Sequence, residues 1–136
     1  MVLLAVNAAG DDGMGTTLVA AQFHGVDFEL AWVGDSRAYR LRNGILTLLT
    51  SDHSWVHEQV TAGFLTEEAA RTHPLKNVVT QALGGNNIPR VDVLETTMED
   101  GDVYLLCSDG LNSMLTDHEI EAILQQARQA GATSAR

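Results

Sequence analysis

The dipeptide Asn43-Gly44, set between SRAYRLR and ILTLLT, constrains this chain more than any other feature. Both residues accept a positive φ, so the pair closes a two-residue type I′ turn whose twist matches that of the strands it joins. A hairpin is predicted there. Another precedes it: TTLVAAQF is apolar and β-branched at its start, a turn follows at His24-Gly25, and VDFELAWVG comes next. In that last run Val26, Phe28, Leu30 and Trp32 alternate with Asp27, Glu29 and Ala31, which predicts one buried face.

The pattern changes after Thr50. SDHSWVHEQVTAG has helical spacing at Trp55, Val56, Gln59 and Val60 and stops at Gly63, with Asp52 as the expected cap. Thr66 caps a short helix through TEEAARTH that His73-Pro74 ends. NVVTQALGG fits helix or strand, and Gly84-Gly85-Asn86-Asn87 reads as a loop. RVDVLETTM is β-like, Glu99-Asp100-Gly101-Asp102 is a turn, and VYLLCS is expected to be a central, fully buried strand. Thr116-Asp117-His118-Glu119 matches a capping box ahead of a last helix that Gly131 terminates. Without repeats or linkers, residues 1–136 are expected to form one domain.

Charge narrows the partners. Eighteen acidic residues against eight basic ones give a net charge of −10, which repels nucleic acid and anionic membrane surfaces. Cys107 is the only cysteine, so an internal disulfide is impossible and a reducing compartment is expected. MVLLAVNAAG lacks a basic start and its apolar run is short, which argues against a cleaved signal. No stretch is long enough to span a bilayer as a helix, and a cytoplasmic location is expected.

Two acids stand where strands stop. Asp35 follows LAWVG and Asp109 follows VYLLCS, each beside a glycine. Carboxylates at the exits of neighbouring strands would suit magnesium or manganese, which take oxygen ligands. Asp is equally at home in turns and caps, and spacing by itself favours that plainer role.

The wider sequence bears on the choice. GMGTTLVAA, VGDSRAYRLRNGILTLLTSDHSWV, GFLTEEAARTHPLKNVVTQALG and GDVYLLCSDGLNSMLTDHEI, in that order, resemble consecutive blocks of the metal-dependent serine/threonine protein phosphatases of the 2C type, in their bacterial form. The resemblance covers about residues 14–124. It implies an α+β fold, a sandwich of antiparallel sheets flanked by helices (α-β-β-α), of which this chain is an incomplete slice. It also implies two or more Mg2+ or Mn2+ ions in the complete domain, with a water between two of them that attacks phosphorus of a phosphoserine or phosphothreonine. By the same resemblance Asp109 matches a core metal ligand that reaches toward an additional ion, and Asp35 a ligand of that ion. A helical insertion at about residues 51–84 resembles the flap beside the active site.

DDGMGTT at residues 11–17 is ambiguous in that light. The family has an Asp-Gly-Met-Gly-Gly block with metal ligands and, well downstream, a Met-Gly-Thr-Thr strand; here both would need Gly13-Met14-Gly15. The strand TTLVAA that follows favours the downstream match, so Asp12 is expected to be a loop residue. The chain then lacks the family's first acidic blocks, its phosphate-receiving arginine and the final Asp-Asn block. Two retained carboxylates are not expected to hold a binuclear centre at normal affinity, because a hard cation keeps its water unless several anionic oxygens replace it. Weak or absent activity of the isolated chain is expected, and self-association through uncovered strands. A non-catalytic module that binds a phosphoprotein or regulatory partner is the alternative.

Other residues have plainer readings. Ser113 stands where some members carry a further acid, which weakens the extra-metal site. Cys107 lacks the arginine-closed loop of a thiolate phosphatase and reads as a buried hydrophobe. His53 and His57 are four apart without a third ligand, so solvent-facing or capping roles are expected. Arg37 is expected to pair with Asp35 or to fix its loop, and Trp32 and Trp55 to pack.

Overall fold

The computed structural model describes residues 2–6, 15–84 and 88–131. Asp12 and the glycine-asparagine residues 85–87 lie outside that range. In chain order the elements are β1 (Val2–Val6), β2 (Thr17–His24), β3 (Asp27–Val33), β4 (Arg37–Arg42), β5 (Ile45–Leu48), α1 (Trp55–Thr61), α2 (Glu67–Arg71), β6 (Asp92–Thr97), β7 (Val103–Cys107), α3 (Asp109–Asn112) and α4 (Asp117–Gly131). They build two antiparallel sheets, one ordered β1-β2-β3-β6 and the other β5-β4-β7.

Local chemistry sets both predicted hairpins. Asn43 and Gly44 have φ of 52° and 77°, the paired positive values of a type I′ turn. β2 and β3 pair through Phe23↔Phe28 and His24↔Asp27, so the two-residue turn is Gly25-Val26. Val26 is therefore not part of the buried stripe predicted for it. It is 64% exposed, and its carbonyl accepts the Met98 N–H at 2.7 Å.

Alternation along the strands makes the layers. Val19, Ala21, Phe28, Leu30 and Trp32 from the first sheet meet Ala38, Tyr104 and Leu106 from the second, a core between the sheets. Fully burying each large side chain of this kind is worth about 1.5–3 kcal/mol. On the other face of the second sheet, Tyr39 and Cys107 pack with Ile120, Leu111 and Leu124 from α3 and α4. Hence sheet, sheet and helix stack in that order, an α+β sandwich.

β7 departs from its expected place. Among the described residues it pairs with β4 alone, and only Cys107 is buried while Val103 to Leu106 are half-buried. With one long side unpaired, an apolar run does not make a central strand. The described part of NVVTQALGG, NVVTQALG at residues 77–84, forms neither regular element; single bridges at Ser54↔Val79 and Thr16↔Leu83 hold it. The capping box does form, with Thr116 Oγ1 accepting the Glu119 N–H at 3.2 Å and Glu119 Oε1 accepting the Thr116 N–H at 3.0 Å.

Candidate metal centre

Asp35 sits in the tight turn from β3 to β4. Gly34 there has φ 106°, and a Cβ on it would meet Thr17 Cγ2 at 2.3 Å, so only glycine serves. The hydroxyls of Thr17 and Ser36 lie 2.8 Å apart across the turn. Asp35 is 6% exposed, and its Oδ1 has no hydrogen-bond partner among the described residues. Asp109 opens α3 at the end of β7, behind the cap residue Ser108, whose Oγ accepts the Gly110 N–H at 3.2 Å.

Both acids line one cavity of about 530 Å³, together with Arg37, Asp52, Asn112 and Asp117. The Asp35 carboxyl is pushed up to about 6, first by burial, then by the negative charges of Asp109 and Asp52. A carboxylate so placed favours a proton or a cation. Asn112, which lines the same cavity, has a second buried acceptor, Oδ1, without a partner among the described residues. The donors are hard oxygens, as Mg2+ and Mn2+ require, and the bare Oδ1 has a coordination position to give. Among the described residues, however, no group of three or more His, Cys, Asp or Glu side chains is arranged to hold a metal. The set fits such a cation in kind and falls short in number.

Arg37 does not pair with Asp35. Its Nε donates to Asp52 Oδ1 at 2.9 Å and its Nη2 to Asp52 Oδ2 at 2.7 Å, a two-pronged pairing. Nη1 donates to the Tyr39 hydroxyl at 2.9 Å, which donates to Asp117 Oδ1 at 2.9 Å. Burial opposes the Arg37 charge, but the Asp52 contacts outweigh it and push the group above its ordinary value. Arg37 thus ties the start of β4 to Asp52. Asp52 consequently does not cap α1: Ser54 does, its Oγ accepting the His57 N–H at 3.3 Å.

The two histidines are separated. His57 lines the cavity, whereas His53 is 1% exposed, which corrects its expected solvent-facing or capping role. His53 precedes the helix, so the ring turns inward, accepting the Gly34 N–H on Nδ1 at 3.0 Å and meeting Asp92 Oδ2 at 2.8 Å. Sequence reasoning missed this contact, and DHS carries no local signal for it. Ser113 lines the cavity beside Asp109. Cys107 is buried, and burial pushes its thiol up to about 11, so it stays protonated. Trp32 packs in the core with its Nε1 donating to Ser51 O at 2.9 Å, and Trp55 lies against His73 with ring centres 5.0 Å apart.

The family profile of protein phosphatase 2C matches residues 7–135. The chain belongs to the protein phosphatase 2C family. Over 128 residues it is 44% identical to the serine/threonine phosphatase stp of Listeria monocytogenes, covering 94% of this chain and 51% of that protein. The S. agalactiae serine/threonine phosphatase superposes with a TM-score of 0.80 at 46% identity, covering 84% of this chain and 47% of that one. The catalytic domain of the phosphatase PstP, solved in complex with two manganese ions, superposes with a TM-score of 0.74 at 40% identity, over 83% of this chain and 46% of that one. This 2C-type chain therefore spans about half the length of the curated relatives it matches. Among the described residues no helix is long and apolar enough to cross a membrane.

Proposed function

We propose that Asp35 and Asp109 are ligands of a Mg2+ or Mn2+ site, and that this chain is part of a domain that hydrolyses phosphoserine and phosphothreonine in proteins. The observation that carries the reading is the buried, partnerless Oδ1 of Asp35, in a cavity it shares with Asp109. The manganese pair in the PstP structure supports the choice of ion. When bound, such cations activate water and neutralise phosphoryl oxygens. The chain's own part is to hold the two carboxylates at strand ends, to keep Arg37 neutralised by Asp52 so that it does not occupy Asp35, and to seat the phosphorylated residue in the cavity.

Residues of about 51–84 contribute to the lining of the same cavity. His57, Arg71 and Lys76 from this segment line the cavity, which supports a flap-like role in admitting the substrate. The 136 residues by themselves carry weak activity at most, because their ligand set is short. A non-catalytic module that binds a phosphoprotein is the second reading, favoured by the lack of a three-ligand group among the described residues. Exposed Ile88, Val91 and Val93 support self-association. A single cysteine supports a cytoplasmic setting.

Hydrolysis of p-nitrophenyl phosphate with manganese tests the reading. Slow turnover that Asp109→Ala abolishes is the expected result. Turnover untouched by that substitution would remove Asp109 from the site, and fast turnover by the parent would contradict the weak activity. Gel filtration at rising concentration checks self-association, and a monomer throughout would count against it.

A further inference from the structure

His53 is buried and held at both ring nitrogens beside the candidate site, and neither its burial nor its partners follow from the cavity's chemistry. It grips Gly34 at both backbone groups. The Gly34 N–H donates to Nδ1 at 3.0 Å, and the His53 N–H donates to the Gly34 carbonyl at 2.9 Å. Because Nδ1 accepts, the ring proton resides on Nε2, which donates to Asp92 Oδ2 at 2.8 Å. Asp92 starts β6 and stands opposite Trp32 of β3, so the sheet fixes that carboxylate. The ring is further confined by Trp32, nearly parallel to it at 27° with centres 6.4 Å apart, and the His53 carbonyl accepts the Thr80 N–H at 2.8 Å.

Asp35 is the next residue after Gly34. Among the described residues no side chain holds its Oδ1, so the direction in which the carboxylate enters the cavity is set by the backbone of its turn. That backbone is pinned on one side by the Thr17 and Ser36 hydroxyls and on the other by His53. We propose that the Asp92–His53 pair is a positioning device for Asp35: Asp92 selects the ring form that accepts the Gly34 N–H, and that bond sets where the Asp35 carboxylate sits. The device rests on the reading of Asp35 as a cation ligand. His53 and Asp92 are positioning residues and touch no substrate.

Two substitutions separate the halves of the ring. In His53→Asn the amide oxygen stands near the Nδ1 position and keeps an acceptor for Gly34. In His53→Gln the amide reaches toward Asp92 and offers Gly34 nothing. On the full chain, Mn2+ binding is titrated by the loss of the free-ion electron paramagnetic resonance signal, and the Gly34 amide is followed by hydrogen exchange in metal-free buffer. The melting temperature falls in both variants, since each loses one buried partner. H53N is expected to keep Gly34 protection and an affinity close to the parent's. H53Q is expected to lose that protection and to bind Mn2+ roughly tenfold more weakly, the usual scale for a lost supporting contact. Equal Mn2+ affinity in the two variants, or unchanged Gly34 exchange in H53Q, overturns the proposal.

If either variant fails to fold, Asp92→Asn decides, because that side chain is 37% exposed and its replacement spares the core. Faster Gly34 exchange in D92N supports the device, and unchanged exchange overturns it. Asp35→Asn tests the underlying reading separately: Mn2+ binding equal to the parent's there removes the cation site, while Gly34 exchange still judges the clamp.

Discussion

Asp35 and Asp102 are the same residue in similar places, with opposite electrostatics. Each lies at a strand-to-turn junction beside a positive-φ glycine, Gly34 and Gly101, and each is nearly closed to solvent, with 6% of residue Asp35 and 3% of the Asp102 side chain exposed. Asp102 is saturated with donors: Arg42 Nε at 2.9 Å and Nη2 at 2.7 Å, the Glu99 N–H at 2.9 Å and the Tyr104 hydroxyl at 3.0 Å. The Arg42 bonds, more than its other contacts, hold its carboxyl well below the usual range despite burial. Asp35 has a bare oxygen and two acidic neighbours, and is pushed up to about 6. A buried acid that the fold satisfies serves the fold, and one that the fold leaves open is available to something from outside.

That contrast breaks first on cation affinity. Asp35→Ala should weaken Mn2+ binding about 100-fold, equivalent to about 2.7 kcal/mol, while Asp102→Ala should leave it unchanged; isothermal titration of both variants checks this. Next comes stability: Asp102→Ala removes two of the Arg42 hydrogen bonds and the acceptor of the Glu99 N–H and should cost about 2 kcal/mol, read from urea unfolding. Asp35→Asn should instead stabilise the metal-free protein at pH 7.

The pH dependence sharpens the comparison further. Asp35 has a folded value near 6 against 3.8 for the ordinary carboxyl, so its stability contribution is complete below 3.8 and is lost as pH rises through 6. In metal-free buffer the unfolding free energy should rise by about 1 kcal/mol from pH 7 to pH 5, and Asp35→Asn should flatten that rise. Asp102 acts in the other sense, its contribution disappearing only as the solution is acidified below the ordinary carboxyl range. Smallest is the effect of Asp109→Asn, which removes the second cause of the Asp35 shift. The Asp35 midpoint, followed by carbon-13 resonance of the carboxyl, should move down from about 6 while stability changes by about 0.5 kcal/mol.

What was legible in the sequence is what depends on near neighbours. Asn43-Gly44, the Thr116–Glu119 box and the alternation from Phe28 to Trp32 express turn geometry, capping and strand period within a few residues. Asp35 and Asp109 were singled out as strand-end acids, and the structure brings both to one cavity. Val26 was lost to a local turn, and the other misreadings involve partners distant in the chain. Asp52 looks like a cap until Arg37, fifteen positions earlier, is folded against it. His53 looks exposed until Gly34 and Asp92 close around it from opposite directions. β7 has the composition of a central strand, yet whether both of its sides are paired depends on strands that composition does not supply.

Manganese-soaked crystals examined by anomalous scattering test the central claim most directly. An ion at bonding distance from the Asp35 Oδ1 and from the Asp109 carboxylate is the predicted result. Saturating manganese with no peak in that cavity, or a peak that touches neither carboxylate, would contradict it.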